Sequence, residues 1–241
     1  MSLRRDEDKE MDELNVAAHT YREIKRRIVE LDYRLGERLS ETRLASELGV
    51  GRSPVRSALA RLKSEGWVAV SPQSGTFVKA LTSRDIEEVT ELRTVLEMHA
   101  TRVAAERITQ KDLDTLQVAF DTLGPSIVAG RSELFIDLDK QFHLAIYKAA
   151  GNELVHDILM NLRDKVQWIR RACSVSLERV QDGFHEIESI FQDLKTRDGE
   201  SAAEGMRRHI QNAAAFCRGI APEAMATQPK GSLEAAVMET S

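Results

Sequence analysis

The chain has 241 residues, of which 30% are charged, and a net charge of −5. That length accommodates two domains that each bury a core. No apolar run nears the ~20 residues of a membrane span, and the charged opening Met1 to Glu13 lacks the apolar segment of a secretory leader, so a cytoplasmic location away from any membrane is expected. Residues 21–65 carry 11 Lys/Arg against 7 Asp/Glu, whereas residues 81–241 carry 19 against 26. A basic head on an acidic body argues against indiscriminate polyanion binding and leaves one face for phosphate.

Residues 1–14 are a mixed charge run and read as a disordered arm. A first domain is expected over 15–80. Within it Leu44, Ala45 and Leu48 share one helical face, Gly49 supplies a C-terminal stop, and Val50 fills the corner. Ser53 can cap a second helix with Pro54 in its first turn, and Val55, Leu59 and Leu62 form its buried stripe. The exposed face is left to Arg52, Ser53, Arg56, Ser57 and Ala60. Any small helical pair carries arginines on its wet side, but the residues after Gly66 alter the balance. Trp67-Val68-Ala69-Val70 and Thr76-Phe77-Val78 flank a turn with Pro72 and Gly75, which is a hairpin signal. Two short helices and a hairpin make a winged helix-turn-helix, whose second helix presents its first residues to base edges in the major groove. Arg matches guanine O6/N7 and phosphate.

From Thr20 to Lys79 the chain closely resembles the winged DNA-binding domain of GntR-type bacterial transcription regulators. The matching residues are Leu35-Gly-Glu-Arg-Leu-Ser-Glu41, Gly49-Val-Gly-Arg-Ser-Pro-Val-Arg56, Leu59-Ala-Arg-Leu62, Glu65-Gly-Trp67 and Gly75-Thr-Phe-Val78. The resemblance implies operator contacts from Arg52, Ser53 and Arg56, and a close approach of Gly75 to the minor groove. Where that family has Glu-Arg-Glu-Leu-Ala, this chain has Glu41-Thr-Arg-Leu-Ala45. The arginine stands one place later, about 100° around the helix, and the implied contact passes to Arg43.

From Ser83 onward β signals vanish, and helical periodicity recurs near 83–107, 110–129, 132–149, 152–175, 178–197 and 199–218. Ser83 and Thr109 look like N-caps. The expected fold is therefore mostly α: a winged helix-turn-helix with a small β-hairpin, then an all-α antiparallel six-helix bundle over 83–219. Residues 221–241, with Pro222, Pro229 and Gly231, read as a disordered tail. Cys173 and Cys217 are far apart with no paired spacing, and read as reduced core thiols rather than a disulfide or metal clip.

Such a bundle is solid or holds a ligand between facing helices. Asp139 and His143, at i and i+4, reach a single cation from one helical face. A surface pair has the same spacing, but Leu138, Phe142, Leu144 and Ile146 leave the helix apolar nearly all round and pull the pair inward. His209 lies on a mixed face between Met206 and Ile210. Arg93 neighbours Leu92 and Leu96, and a buried Arg needs an anion, either Glu97 at i+4 or an effector carboxylate.

This half resembles the all-helical effector domain, the FCD domain, of the FadR branch of the same family. The matching residues are Glu91-Leu-Arg-Thr-Val-Leu-Glu97, Asp139-Lys-Gln-Phe-His143, Ala150-Gly-Asn152 and Met206-Arg-Arg-His209, and the count of six helices looks like its VanR-like subgroup. The resemblance implies a divalent metal, zinc or similar, held by one Asp and three His, with the metal or a basic residue gripping a carboxylate-bearing effector. Asp139, His143 and His209 occupy three ligand positions, with Arg93 beside them. The fourth falls on Ile187. The nearest imidazole, His185, is two residues away and shares the wet face with Glu188, Ser189 and Gln192, so it joins the site only through a helix irregularity. The expectation is a homodimeric repressor that binds a palindromic operator, is modulated by a small metabolite, and is not an enzyme. The alternatives are a metal-dependent hydrolase fused to a DNA-binding head, or an architectural DNA binder with a ligand-free bundle.

Overall fold

A computed structural model describes residues 2–173 and 175–226, with side chains from 15 to 220. Its backbone divides between Leu81 and Thr82, and the second unit spans Thr82–Pro222.

The first unit contains α1 (Ser2–Val29), β1 (Arg38–Leu39), α2 (Glu41–Leu48), α3 (Arg52–Ser64), β2 (Val68–Ser71) and β3 (Gly75–Val78). Residues 2–14, expected as a disordered arm, are the first turns of α1. They contain neither Gly nor Pro. Once Ile24 and Ile28 are buried against α3, extending the helix backward through Glu, Lys, Arg, Met and Leu adds a hydrogen bond per residue with no new nucleation cost. In α2, Ser40 accepts from the Arg43 N–H, and Gly49 ends the helix at φ 65°, a conformation open to Gly at little cost.

The start of α3 differs from expectation. Its N-cap is Gly51, in extended backbone, rather than Ser53. Pro54 thus falls at the third helical position, where its missing N–H is still one that no carbonyl of the helix would have accepted. Ser53 is left exposed. The hairpin also gains a strand. β1 pairs antiparallel with β3, Arg38 opposite Phe77 and Leu39 opposite Thr76, giving the order β1-β3-β2. A two-residue strand is too short to show the period-2 alternation by which strands are read.

The second unit is a bundle of α4 (Ser83–Arg107), α5 (Gln110–Val128), α6 (Ser132–Ala150), α7 (Glu153–Ala172), α8 (Leu177–Lys195) and α9 (Gly199–Ala226). Thr82, not Ser83, caps α4, in a reciprocal box with Asp85, whereas Thr109 caps α5 through the Asp112 N–H. α9 runs past the expected end at 218. Ala221, Glu223, Ala224 and Met225 are strong helix formers on either side of Pro222, and the rest of the expected tail, 227–241, lies outside the described residues. The bundle core is aromatic: Phe120 stacks on Phe191 at 4.9 Å and meets Phe142 edge-on at 6.0 Å, in the offset and edge geometries that aromatic pairs favour.

Close helix packing depends on small residues. A Cβ built on Gly205 of α9 would stand 2.8 Å from Ile190 Cγ1 on α8. Helix propensity alone makes Gly205→Ala stabilising by about 1 kcal/mol, but overpacking a filled core costs about 1–3 kcal/mol. We expect Gly205→Ala to lower the thermal midpoint, and a raised midpoint would contradict the packing.

Candidate functional site

In the first unit the structure sets Arg52, Ser53 and Arg56 on the exposed first two turns of α3. Arg56 donates to both oxygens of Glu41, at 3.2 and 3.0 Å. Arg43 is turned the other way, bonding Glu37 at 2.6 Å and approaching Glu47 at 3.3 Å, with its guanidinium over the Tyr33 ring. Gly75, at φ 115°, opens β3, and a Cβ there would lie 3.0 Å from the Nε of Arg38. Arg38 thus lies across the wing residue, exposed, in a position that sequence reading missed because β1 was not recognised. From the protein side, α1 holds α3 in place: Tyr21 donates to Glu65 at 2.5 Å, and the Arg61 guanidinium lies 3.8 Å from the Tyr21 ring centre.

In the second unit the helices converge on a buried polar group. α4 supplies Arg93 and Glu97, α6 supplies Asp139 and His143, and α9 supplies His209, all buried. His143 Nε2 lies 3.5 Å and His209 Nε2 3.4 Å from the same oxygen, Asp139 Oδ1. The other oxygen of Asp139 accepts from Arg170 of α7 at 2.6 Å. Each imidazole is backed at its far nitrogen by a carboxylate: Glu97 Oε2 lies 2.7 Å from His143 Nδ1, and Glu186 Oε2 of α8 lies 2.7 Å from His209 Nδ1. Those carboxylates are held in turn. Arg93 donates to Glu97 at 2.6 Å, while Arg179 and Asn212 donate to Glu186 at 2.6–2.9 Å.

The electrostatics reflect this crossed arrangement. Burial opposes ionisation of Asp139, but Arg170 and His143 outweigh it and hold the carboxyl well below its ordinary range. Burial likewise disfavours a charged His143, yet Glu97 and Asp139 push it up to about 9. Glu186, despite burial, is drawn down to about 2 by hydrogen bonds from His209, Arg179 and Asn212. At Asp139, His143 and Glu186 nearby opposite charges and hydrogen bonds thus exceed desolvation.

Asp139, His143 and His209 could hold a metal ion: one ligand atom from each lies within 4.8 Å of the others. The donor set fits. Asp139 Oδ1, His143 Nε2 and His209 Nε2 are buried atoms without a hydrogen-bond partner, a costly condition unless something shared satisfies them. A carboxylate behind each ligating imidazole is the usual way to fix its orientation. Ile187 is fully buried in the apolar core, and His185 is exposed beside Glu188, so neither joins the group. Arg93 pairs with Glu97, the simpler of its two expected partners. Arg170, Arg179 and Glu186 were missed. Glu186 was one residue from the position under scrutiny, and the two arginines carried no local signal.

This group opens on a cavity of about 380 Å³ whose wall also includes Phe135, Leu159, Leu162, Val175 and Val180. No helix among the described residues is long and apolar enough to cross a membrane.

Comparison with known proteins agrees with this division. The FCD domain family matches residues 88–212, and the family of bacterial regulatory proteins, gntR family, matches 16–78. The chain is 25% identical over 193 residues to the HTH-type transcriptional regulator YdhC of Bacillus subtilis, covering 80% of this chain and 86% of that protein. It is 27% identical over 203 residues to the HTH-type transcriptional repressor RspR of Escherichia coli K12, covering 84% and 89%. The solved structure of E. coli McbR/YncC superposes with a TM-score of 0.69 at 23% identity, covering 85% of this chain and 97% of that one, a likeness of fold. These matches are to regulators rather than enzymes. The chain belongs to the GntR family of bacterial regulatory proteins: it is a DNA-binding transcription regulator that joins a winged helix-turn-helix head to an FCD effector domain.

Proposed function

We propose that the protein is a cytoplasmic, homodimeric repressor that binds a palindromic operator and is released or modulated by a small carboxylate with an apolar body, anchored through a divalent metal at Asp139, His143 and His209. The observation that carries the reading is the convergence of three unsatisfied, buried ligand atoms on the wall of a cavity. The chemistry such an ion supplies is a fixed positive charge opposite the effector carboxylate. Asp139 orients the group through its bond to Arg170, and the carboxylates behind the imidazoles hold both rings in place. The apolar wall favours a hydrocarbon-bearing acid over a sugar acid, because a polyol would leave hydroxyls unpaired against Leu159, Leu162 and Val180.

At the head, Arg52, Ser53 and Arg56 meet the major groove, and Gly75 with Arg38 meets the flanking backbone. The ion pair of Arg56 with Glu41 is exposed and exchanges readily for a DNA partner, whereas Arg43 stays with Glu37 and Glu47 and contributes little. One head buries too little surface for selective binding, so two related half-sites are required. Effector binding acts by its different affinity for head arrangements that do and do not fit the half-site spacing. The name of RspR supports repression.

Operator binding, metal content and thermal stability test this reading. Arg52→Ala should weaken operator binding about 5- to 150-fold and relax one base position. Arg38→Ala should weaken all sequences alike and flatten the salt dependence by about one unit, while Arg43→Ala leaves affinity nearly unchanged in an anisotropy titration. Metal analysis of the purified chain should find about one divalent ion per protomer, lost in Asp139→Ala and His209→Ala and retained in His185→Ala. Chelation should lower the thermal midpoint; restoring the metal at a hundredfold its dissociation constant returns about 2.7 kcal/mol. Glu186→Gln should weaken the metal about 10- to 100-fold without abolishing it. A chain that binds no divalent ion, with or without a carboxylate present, would overturn the effector half of the reading and leave the head untouched.

A further inference from the structure

Two thiols take no part in the site as described, although one of them lines its cavity. Cys173 is the C-cap residue of α7, and Cys217 lies on α9. Sequence spacing makes them unrelated, yet the fold brings them together. Cys173 Sγ stands 3.9 Å from the carbonyl oxygen of Cys217, which sets the two cysteines side by side. Both are almost completely buried. Cys217, however, lines the cavity of about 380 Å³ and also a small hollow of about 30 Å³. A small polar molecule entering the larger cavity therefore comes up against Cys217 without unfolding the bundle.

We propose that Cys217 and Cys173 form an oxidisable dithiol, in which Cys217 reacts with a small hydroperoxide entering through the cavity and Cys173 resolves the product to a disulfide joining α7 to α9. In the first step the Cys217 sulfur attacks the peroxide and the O–O bond breaks. Cys217 becomes a sulfenic acid, and the peroxide leaves as water or an alcohol. In the second step the Cys173 sulfur attacks the Cys217 sulfur, the S–S bond forms as the S–O bond breaks, and the departing hydroxyl leaves as water with the Cys173 proton. Two thiols lose two electrons in all, and one peroxide is reduced.

The surroundings divide the two roles. The Cys173 hydrogen bond lowers the Cys217 thiol against the opposing effect of burial, with Arg170 and Arg179 adding to the decrease. That same bond, with burial, pushes the Cys173 thiol up. Thiolate character beside cations marks the attacking sulfur. Joining the sulfurs at a bonded ~2.05 Å asks one side chain to move toward the other. Cys173 is at the end of α7, so the shift falls on one terminal turn. Oxidation then ties together the helices that carry Arg170 and His209, on either side of Asp139, which makes the dithiol a means of coupling redox state to the effector site.

The test uses the purified full-length chain, fully reduced and without added metal or effector, so it stands or falls separately from the proposed effector reading. Hydrogen peroxide is added, and intact mass, thiol content and a non-reducing peptide map are followed. The expected result is loss of two hydrogens with both thiols disappearing together, a Cys173–Cys217 linked peptide within one chain, and full reversal by a dithiol reductant. Cys173→Ser should stop at a sulfenic acid on Cys217 that a 1,3-dione traps, and Cys217→Ser should consume peroxide at least about tenfold more slowly. The wild-type chain alone decides the matter if either variant misfolds. Thiols that stay reduced in folded protein while a free-thiol reference is oxidised, sulfinic or sulfonic acid in place of a linked peptide, or a disulfide between two chains would each overturn the proposal.

Discussion

The buried polar cluster of the bundle is organised around the cost of burying Asp139. A carboxylate at 4% exposure among phenylalanines and leucines loses several kcal/mol of hydration unless its charge is met inside the protein. Arg170 meets one oxygen, and two imidazoles face the other. From there contacts run outward in both directions, through His143, Glu97 and Arg93 on one side and through His209, Glu186 and Arg179 on the other. The chain of contacts draws on α4, α6, α7, α8 and α9. Deleting Arg170 or Arg93 takes the cation from a buried carboxylate, which costs far more than an exposed pair is worth.

This arrangement also explains why the central atoms remain unsatisfied. Glu186 bonds the far nitrogen of His209, and Glu97 lies 2.7 Å from the far nitrogen of His143, so each ring has a carboxylate behind it. Both present their near nitrogens to Asp139 Oδ1, and all three atoms lack a hydrogen-bond partner. A core built only for stability would not be expected to keep three such atoms beside a cavity, because replacing a buried polar cluster with packed apolar residues is often neutral or stabilising. Retaining them is consistent with a site whose last contact comes from something bound.

The head uses charge in the opposite manner. On the reading helix the pair of Arg56 with Glu41 is exposed, so it orients the side chain without committing it. What fixes the reading helix is apolar: Ile24 and Ile28 of α1 are buried with Val55, Leu59 and Leu62 of α3, and the Tyr21 hydroxyl is anchored on Glu65. A rigid helix carrying lightly held arginines can trade intramolecular partners for phosphate and base edges at little cost, and it does so less well as salt rises.

Helical periodicity in this chain determined which segments are helices, where Gly49, Thr109 and Gly151 bound them, and which side of each faces inward, because those properties repeat every 3.6 residues and are local. By the same token Asp139 and His143 were legible as a pair, and Ile187 was legible as a core residue that cannot be a ligand. Periodicity did not reach a two-residue strand such as β1, nor the helical residues of α1 before Asn15, which have no apolar stripe. Nor could it say which helix faces meet. His209 of α9 joins Asp139 of α6, Arg170 reaches Asp139 across 31 residues, Glu186 reaches His209 across 23, and Cys173 finds Cys217 across 44. Those encounters are set by how six helices pack against one another, through the contacts of Phe120, Phe184 and Phe191 and the close approach permitted at Gly205, and a pattern that repeats along one helix carries no information about the side chain it will meet on the next.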